Sequence, residues 1–597
     1  MPRTQDILVQ VLDHAQCSEE PCERRLPRHK LQKRLDRVDE AGQRQLLQQM
    51  LCLRHPDPLL PAGLLDDIDL ALRKWMSQRL LTRAETIKPA LFFARDGTVS
   101  VWKGDLTALA NVTVIANAAN YRAIGCFQPS HRCIDNAIHT WAGPRLRDDC
   151  YALMAARGRD LDPGECIVTR GHCLPAAHVV HVLGPQLAPG GKPEPRHEEQ
   201  LAQCYRSVLE AAETLPAGAD GRKRVALCGI STGLFAFPAR HAAEIAVRTV
   251  AAWLHDHLQT TVTDVIFNTF TDTDHGIYQD ILSSALPTWR RSTASSPNPS
   301  AVVECESMVH ARQWLNSADA VVVSAGAGLS AADGLDYTST ALFTKEFPGF
   351  LKYGFRTLYS VFGYSGWPTE QDRWGYFATH LGLVKSWPPS PMYQGLISWL
   401  DKLGPDAHVR TSNADGLFVA NGWAPEKLST PQGSYSVLQC LSNCHPDSAE
   451  PSEPWLKAAQ QSLDPRTQRL TDPGRVPRCR RCDGMMGICV RADHRFNDAP
   501  FKDGERRWKE FKERMRANGK DVVILELGVG SSTPGVLRWP NEDWARSSEG
   551  RVKLVRVAMG PESAAPSDLE EEGLAASING DIAAAIGQLL SRSTAVQ

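Results

Sequence analysis

The sequence lacks the patterns that mark membrane, secreted and nucleic-acid-binding proteins. No stretch reaches the roughly 18 uncharged apolar residues that a membrane-spanning helix needs. The 66 Lys and Arg residues are balanced by 68 Asp and Glu, so the broad positive field of a polyanion binder is missing. The first 20 residues include four acidic side chains and no apolar segment, unlike a secretory signal or a transit peptide. We therefore expect an intracellular protein of the cytoplasm, with a mitochondrial location still open, that binds neither membranes nor nucleic acids.

The length and the residue patterns predict several domains. At about 150 residues per domain, 597 residues correspond to about three to four domains. Leucines spaced three and four residues apart among charges predict a helical region over residues 1–88. Alternating strand-like and helical runs predict an α/β sandwich over 89–290 and a second α/β region over 303–597. The polar Ser- and Pro-rich stretch 291–302 predicts a linker, and we find no internal repeat.

A basic run interrupts the helical region. It has two interpretations, an interaction patch or a solvated helix face. Its members are Arg24, Arg25, Arg28, Lys30, Lys33 and Arg34.

The cysteines fall into two groups with metal-ligand spacing. Sixteen Cys in an intracellular chain are unlikely to form disulfides. Cys126, His131 and Cys133 offer three ligands and leave a fourth position open, which is typical of a catalytic zinc site. The alternative is that both thiols are buried small apolar groups and that His131 is a surface residue. Four thiolates suit a closed structural zinc in a ribbon at about 435–490, with a redox Cys pair as the alternative. These four are Cys440, Cys444, Cys479 and Cys482.

Two loops of the first α/β region favour a nucleotide ligand. Asn117 and Asn120 follow the strand-like run 112–116, where an α/β sheet places its ligands, and their amides suit ribose hydroxyls. The segment 229–238 follows the run 225–227 and opens a helix, so its backbone N–H groups can bind a diphosphate. A purely structural strand-to-helix turn is the alternative for this second loop.

Together with Gly104-Asp105-Leu106-Thr107, Leu174-Pro175-Ala176 and His181-Val182-Leu183-Gly184-Pro185, these loops resemble a macrodomain. The resemblance implies a three-layer α/β/α sandwich that binds ADP-ribose. It places Asp105 at the adenine, Asn117 and Asn120 at the distal ribose, and Phe270 beside the adenosine. The residues implied at the diphosphate are Ser231, Thr232, Gly233, Leu234 and Phe235.

The first cysteine group stands where hydrolytic macrodomains have a glycine run. It is similar to the zinc-containing macrodomains that accompany class M sirtuins. On that resemblance, zinc held by Cys126, His131 and Cys133 polarises a water or a ribose oxygen. Asp135 orients the attacking group, while His139 packs structurally within its helix.

Three ordered segments of the second α/β region, 324–334, 411–417 and 527–534, resemble a sirtuin. The first is a glycine loop after an apolar strand, suited to a pyrophosphate. The resemblance implies a Rossmann-like parallel sheet that binds NAD, with a small zinc-ribbon domain. The implied NAD contacts are Ala325, Gly326, Ala327, Gly328, Ser330, Asp336, Tyr337, Asn413, Asp415, Gly528, Gly530 and Ser531.

The sequence departs from deacylating sirtuins at two places. Gln432 stands where they have a histidine base, and an amide cannot take a proton near pH 7, so deacylation should be crippled. The segment 335–339 replaces Ile-Pro-Asp-Phe-Arg. With Arg491, these departures resemble class M sirtuins, which transfer mono-ADP-ribose to proteins.

The class M resemblance implies four roles. Asn413 orients the ribose or a water, Asp415 binds the nicotinamide amide, Gln432 holds ribose hydroxyls and Arg491 places the acceptor. For Arg491, a surface or ribbon salt bridge is the alternative.

The combined resemblance predicts reversible mono-ADP-ribosylation by a single chain. The second region would attach ADP-ribose from NAD to a protein, and the first would remove it. The resemblance implies a lipoylated carrier of the glycine-cleavage H type as acceptor, with a lipoate ligase as a further partner. Two alternatives remain open: a macrodomain that only binds ADP-ribose, and an NAD-dependent deacylase.

Overall fold

The computed structural model describes residues 3–18, 35, 38–93, 97–188, 191–283, 290–291, 302–303, 305–492 and 494–590. The chain divides into two compact units, Met1–Cys305 and Glu306–Gln597. The basic run 24–34 and most of the predicted linker lie outside the described residues. Among the described helices, none combines the length and apolar character needed to cross a bilayer.

Within its described residues, the first unit begins with the helices α1 (Thr4–Ser18), α2 (Glu40–Leu53) and α3 (Ala62–Ser77). The Asp39 side chain caps α2 by accepting a hydrogen bond from the Gly42 amide at 2.9 Å. The apolar faces of these helices belong to the same buried core as the α/β elements that follow. The helical region is therefore packed as part of the sandwich and does not have a core of its own.

A mixed eight-stranded sheet forms the centre of the first unit. Its order is β10-β2-β3-β9-β8-β5-β7-β6, and the five strands from β3 to β7 in that order are parallel. The strands are β2 (Leu91–Phe93), β3 (Gly97–Lys103), β5 (Val114–Ala119), β6 (Cys166–Arg170), β7 (His178–Leu183), β8 (Arg224–Leu227), β9 (Asp264–Thr269) and β10 (Arg290–Arg291). A small sheet joins β1 (Leu81–Arg83) to β4 (Leu109–Ala110) and β11 (Val302–Val303). The remaining helices are α4 (Ile134–Ala142), α5 (Pro144–Arg157), α6 (Pro195–Glu213), α7 (Ala239–Asp256) and α8 (Asp272–Ser283).

The second unit is built on a six-stranded parallel sheet. Its strands are β12 (Ala320–Ala325), β13 (Ala407–Thr411), β14 (Leu428–Ser429), β18 (Val522–Leu527), β19 (Val552–Ala558) and β20 (Ala575–Asn579). The spatial order is β14-β13-β12-β18-β19-β20, so the chain reverses direction across the sheet between β12 and β18. Open α/β sheets bind ligands at such a reversal, beyond the carboxyl ends of the strands. The predicted α/β class is confirmed for the chain.

A three-stranded antiparallel sheet accompanies the parallel one. It contains β15 (Gly433–Cys440), β16 (Glu450–Pro451) and β17 (Met486–Val490). β16 lies in the segment between the two Cys pairs, and β17 follows the second pair. The helices of this unit are α9 (Glu306–Ser317), α10 (Ala327–Ala332), α11 (Thr340–Glu346), α12 (Glu370–Lys385), α13 (Pro391–Leu400), α14 (Leu417–Ala420), α15 (Ser452–Gln460), α16 (Lys502–Ala517), α17 (Arg538–Arg546), α18 (Ser567–Glu571) and α19 (Ile582–Leu590).

Candidate functional site

The parallel strands of the first unit bring four loops to one edge of its sheet. These loops follow β3, β5, β8 and β9, and they contain Asp105, Asn120, Ser231 and Phe270. The carboxyl ends of parallel strands share one edge, which is where such sheets bind ligands. Residues that are distant in sequence therefore reach a common candidate site.

The loop after β8 is held in an unusual backbone conformation. Ser231 has φ +63°, uncommon for a residue with a side chain and frequent at functional sites. Its carbonyl accepts a hydrogen bond from the Phe237 amide at 3.0 Å, and Thr232 Oγ1 donates to the Gly229 carbonyl at 3.0 Å. Leu234 at the tip is 72% exposed. The loop is thus preformed, with its tip open, as a diphosphate site requires.

The predicted adenosine contacts, Asp105 and Phe270, lie on the loops after β3 and β9. Asp105 accepts a hydrogen bond from the Thr107 amide at 2.9 Å and forms a 2.6 Å ion pair with Arg79. Phe270 is 70% exposed at the end of β9. The Asp105 carboxylate is held in place and is half-buried. Its contact with adenine stays a prediction.

Asn117 requires a correction. Because β5 runs on to Ala119, Asn117 lies within the strand and not in the loop after it, and it is 0% exposed. Its Nδ2 donates to Asp135 Oδ1 at 2.8 Å and lies 3.0 Å from His181 Nδ1. Asn117 thus orients Asp135, while its Oδ1 is buried without a partner among the described residues, and its contact with the distal ribose stays a prediction.

Asn120 does lie in the loop, where it shapes the backbone. Its Nδ2 donates to the Gly125 carbonyl at 3.0 Å, and its Oδ1 accepts from the Arg122 amide at 3.0 Å. These bonds fix the path of the chain into Cys126. The ribose contact assigned to Asn120 stays a prediction.

The ligand atoms of Cys126, His131 and Cys133 lie within 4.8 Å of one another. Cys126 Sγ is 3.6 Å from His131 Nδ1, and Cys133 caps α4 by accepting from the Asn136 amide at 3.4 Å. All three residues are half-buried, so they are neither core thiols nor a free surface imidazole. Two thiols and one imidazole are donors that zinc prefers, and three ligands leave a coordination position open. The donor set therefore fits a zinc ion.

Asp135 stands at the start of α4, next to this group. It is 5% exposed, and burial raises the pKa of its carboxyl to about 6 against the opposing effects of Asn117 and Arg147. His139 lies one turn further on, buried, with its Nε2 3.4 Å from Asp135 Oδ1. Burial lowers the pKa of His139 well below its usual value, so the ring is neutral and packs inside the unit.

The glycines of the second unit do something the sequence analysis did not foresee. A Cβ on Gly326 would lie 2.5 Å from the Gly528 carbonyl oxygen, and one on Gly328 would lie 2.7 Å from Gly528 Cα. The Gly328 amide donates to the Gly528 carbonyl at 3.0 Å. These glycines therefore allow the loops after β12 and β18 to touch, and the Gly328 N–H is already used. Gly530 lies in open space, as the predicted contact with NAD needs.

A hydrogen-bond chain ties the loop after β13 to the loop after β12. Asn413 Nδ2 donates to the Gly326 carbonyl at 2.9 Å and to Ser330 Oγ at 3.1 Å. Ser330 Oγ donates to Asp415 Oδ2 at 2.6 Å, and Asp415 Oδ1 accepts from the Leu417 amide at 3.0 Å. Burial raises the pKa of Asp415, while these two donors lower it. Three predicted NAD-site residues are thus assembled at the point where the sheet order reverses.

Gln432 and Arg491 lie side by side. The Arg491 amide donates to the Gln432 carbonyl at 2.9 Å, and Arg491 Nε donates to the Pro431 carbonyl at 3.2 Å. The guanidinium lies 4.4 Å from the Phe496 ring, and the residue is exposed. Gln432 Oε1 is buried and has no hydrogen-bond partner within the described residues. An unpaired buried acceptor of this kind is ready to receive a ligand hydroxyl.

Tyr337 contacts His380, a buried histidine that the sequence analysis did not single out. Its hydroxyl lies 3.2 Å from His380 Nε2, and the His380 ring packs 5.1 Å from the Tyr435 ring. His380 is 0% exposed, and burial lowers its pKa to about 3. The imidazole is therefore buried behind the two tyrosines and neutral. Asp336 turns the chain by accepting from the Thr338 amide at 2.8 Å.

The loop after β18 is supported by residues without a sequence signature. Ser531 Oγ donates to Glu562 Oε1 at 2.8 Å. Arg538 is fully buried, and its Nη1 donates to the Val529 carbonyl at 3.0 Å and to Glu562 Oε2 at 3.1 Å. Glu562 and Arg538 come from different elements, so only the fold brings them to Ser531.

The four thiols of the second group come together at the end of β15. Their sulfurs lie within 4.8 Å of one another, with Cys440 and Cys482 3.6 Å apart and Cys444 and Cys479 3.7 Å apart. A Cβ on Gly484 would lie 3.0 Å from Cys482 Sγ, so a glycine is needed to keep this cluster open. Burial raises the pKa of Cys440, but the amides of Cys444 and Ser442 bring it down to about 7. Four thiolate donors fit a closed zinc site.

Known proteins are similar to this chain over its first unit or over most of its length. A Macro domain family model matches residues 116–246. A protein of Fusarium oxysporum f. sp. cubense, named probable bifunctional ADP-ribose hydrolase/ADP-ribosyltransferase, is 52% identical over 560 residues, 93% of each chain. The protein-ADP-ribose hydrolase of Staphylococcus aureus (strain MSSA476) is 40% identical over 207 residues, 34% of this chain and 72% of that one. A solved Oceanobacillus iheyensis macrodomain with ADP is 31% identical, covers 33% of this chain and 96% of that chain, and has a TM-score of 0.28. The chain contains a Macro domain and belongs to the same family as the Fusarium protein, the bifunctional ADP-ribose hydrolase/ADP-ribosyltransferases.

Proposed function

We propose that this chain catalyses both directions of protein mono-ADP-ribosylation. The second unit breaks the bond between ribose and nicotinamide in NAD, releases nicotinamide and transfers ADP-ribose to a protein, and the first unit removes the ADP-ribose by adding water. One observation carries the proposal: Cys126, His131 and Cys133 converge within 4.8 Å beside Asp135, inside the Macro domain of this two-unit chain. The Fusarium relative, whose name joins both activities, aligns over 93% of its length.

In the first unit, the loops at the sheet edge bind the ADP-ribosyl group. The preformed loop from Ser231 to Phe235 receives the diphosphate, and Asp105 and Phe270 receive the adenosine. Zinc held by Cys126, His131 and Cys133 would polarise a water or a distal ribose oxygen. Asp135, held by Asn117 at 2.8 Å, orients the attacking group.

In the second unit, the loops after β12, β13 and β18 bind NAD at the sheet reversal. Asn413 and Asp415, joined through Ser330, hold the nicotinamide ribose and the nicotinamide amide. Gln432 Oε1, which has no partner among the described residues, accepts a hydrogen bond from a ribose hydroxyl but cannot remove its proton. This favours transfer over deacylation. Transfer depends on holding the anomeric carbon near the acceptor more than on a base. The exposed Arg491 beside Gln432 is positioned to meet that acceptor.

The remaining assignments rest on the family resemblance. The four-thiol group holds a structural zinc, in agreement with its closed donor set. The acceptor is a lipoylated carrier of the glycine-cleavage H type inside the cell, with a lipoate ligase as a further partner.

Incubation with labelled NAD and the lipoylated carrier tests both activities. The Asn413→Ala protein should leave the carrier unlabelled, and the Cys126→Ala protein should label it but fail to remove the label. Cys166→Ala, which changes a half-buried thiol on the edge strand β6, is the matched control and should behave as wild type.

Three results would contradict the proposal. Labelling that is indifferent to Asn413 would mean non-enzymatic transfer. Label removal by Cys126→Ala protein at the wild-type rate would exclude the metal-assisted hydrolysis. NAD-dependent conversion of an acyl-lysine peptide to the deacylated peptide, with release of nicotinamide, would favour the deacylase.

A further inference from the structure

Arg147 on α5 is a buried cation surrounded by main-chain carbonyls. It is 3% exposed. Its Nη1 donates to the carbonyls of Cys52 and Arg54, each at 2.7 Å, and to that of Leu51 at 3.3 Å. These carbonyls belong to the C-terminal end of α2, where helical carbonyls lack partners and where a cation is favoured. Arg147 therefore anchors the end of α2 to the sandwich.

The same guanidinium also reaches the loop of the first cysteine group. Arg147 Nη2 donates to the carbonyl of Cys126 at 3.2 Å, and its Cζ lies 4.4 Å from the Phe127 ring. One side chain thus connects the end of α2 to the backbone of the first metal-type ligand. Among the described ion pairs, none involves Arg147; the carbonyls and the ring contact its guanidinium directly, and its charge also acts on the nearby Asp135 carboxyl.

Cys52 and Asn136 complete the support of the loop. Cys52, 5% exposed, lies with its Sγ 3.3 Å from the Cys126 carbonyl oxygen and 3.2 Å from Asn136 Oδ1. Asn136 Nδ2 in turn donates to the carbonyls of Gln128 at 3.0 Å and His131 at 3.1 Å. The backbone at two of the three ligand residues is therefore held by side chains that do not bind the metal.

We propose that Arg147 and Cys52 are positioning residues of the metal group and that α2, outside the matched Macro segment, is a working part of the hydrolase site. The contacts hold the loop from Cys126 to Cys133 in its ligand-ready shape before the metal arrives. Binding then costs little ordering entropy, whereas a loop released from these contacts must be ordered by the metal itself. The inference rests on the proposed zinc-dependent hydrolysis, but metal affinity tests it separately.

The test compares Arg147→Gln with Arg145→Gln in the full chain. Arg145 lies on the same helix and pairs with Asp69 of α3 at 2.7 Å, so it also joins α5 to the N-terminal helices. Within the described residues, its hydrogen bonds go to Asp66 and Asp69 and none goes to the segment 126–133. Zinc affinity is measured by competition with a chromophoric chelator, alongside thermal unfolding and ADP-ribose binding by metal-free protein. We expect zinc affinity to fall about 10- to 100-fold in Arg147→Gln, the range found for residues that orient metal ligands. Arg145→Gln should keep wild-type affinity.

Cys52 supplies a second, gentler pair of variants. Cys52→Val removes the donor at nearly constant volume and should weaken zinc binding, while Cys52→Ser keeps a donor and should largely restore it. Should Arg147→Gln fail to fold, this pair decides the question.

Wild-type zinc affinity in folded Arg147→Gln and Cys52→Val proteins would overturn the positioning role. A wild-type protein that binds zinc tightly but releases no ADP-ribose would instead refute the proposed hydrolysis. Equal losses in zinc affinity and in metal-free ADP-ribose binding would also overturn the inference, because they would indicate general loosening of the unit.

Discussion

The two cysteine groups of this chain are built in opposite ways. Cys126, His131 and Cys133 come from one short loop, are half-buried, and are braced by side chains from other helices. The four thiols of the second group come from two segments of the chain and meet at the end of β15. The first group is shaped by contacts from its surroundings, whereas the second, with the proposed zinc bound, would join two segments of the chain. An open donor set braced from outside suits chemistry, and a closed one suits folding.

The ligand loops of the two units also differ in the contacts that hold them in place. In the first unit, the loops are held by contacts beneath them, such as Asn117 to Asp135. In the second unit, the loops hold one another through the close approach of Gly326 and Gly328 to Gly528. We therefore expect a substitution in a ligand loop of the first unit to perturb that loop alone. A substitution in a ligand loop of the second unit should also perturb the neighbouring loop.

The largest expected effect separates the two cysteine groups. Cys440→Ser should remove most of the folding free energy contributed by the structural zinc, about 10–16 kcal/mol in small zinc domains, and abolish transfer. Cys126→Ser should leave the melting temperature of the chain nearly unchanged and abolish hydrolysis alone. Differential scanning calorimetry and the label assay measure both. A larger destabilisation by Cys126→Ser than by Cys440→Ser would reverse the comparison.

Acid should destabilise the second unit through His380. Its folded pKa of about 3 lies below the value of about 6.5 in the unfolded chain, so the unfolded state binds more protons between these values. The resulting loss in the free energy of unfolding is negligible above pH 6.5 and grows as the pH falls, reaching ~2–3 kcal/mol at pH 4.5. His380→Phe should remove this loss, measured by urea unfolding at pH 7.5 and 4.5. An unchanged pH dependence in the variant would show that the ring is protonated in the folded protein.

The glycine contacts predict a difference between two positions of the nucleotide site. Gly328→Ala places a methyl group 2.7 Å from Gly528 Cα, so both loops must shift, at a cost of ~1–3 kcal/mol in stability. Gly530→Ala has no neighbour within 4 Å and should leave stability unchanged. Both variants should weaken NAD binding, as titration calorimetry can measure. Equal stability of the two variants would show that the loops do not depend on each other.

The smallest effect concerns Gln432, for which stability and activity should change in opposite directions. Gln432→Leu keeps the shape of the side chain and removes a buried acceptor that has no described partner. We expect the free energy of unfolding to rise by ~1 kcal/mol while NAD-dependent transfer falls. Gln432→Glu, which keeps an acceptor oxygen, is the comparison variant and should retain more transfer than Gln432→Leu. A loss of both stability and transfer in Gln432→Leu would mean that the amide has a structural partner.

Much of the fold could be predicted from the pattern of the sequence. Apolar runs identified the central strands β7, β8, β9, β12 and β18, because buried parallel strands are apolar on both faces. The polar end of β5 was harder, since Asn117 looks like a loop residue but lies in the strand. The short edge strands carry too little pattern to be recognised.

The candidate sites were predicted in part for a similar reason. Cys126, His131 and Cys133 are close in sequence, so their spacing alone indicated that they could bind one metal ion together. Glu562 and Arg147 act through contacts with residues far away in the chain, and no local pattern marks them.

The sequence by itself determined the chemistry available to this protein: which donors could bind a metal, which amides could bind a ligand, and which loops follow apolar strands. These properties depend on residue type and local spacing. Only the tertiary structure decided that Asn117 faces Asp135, that three glycines bring two loops into contact, and that Cys52 of α2 contacts the Cys126 carbonyl. Such contacts join residues distant in sequence, and packing selects them only when the whole core forms.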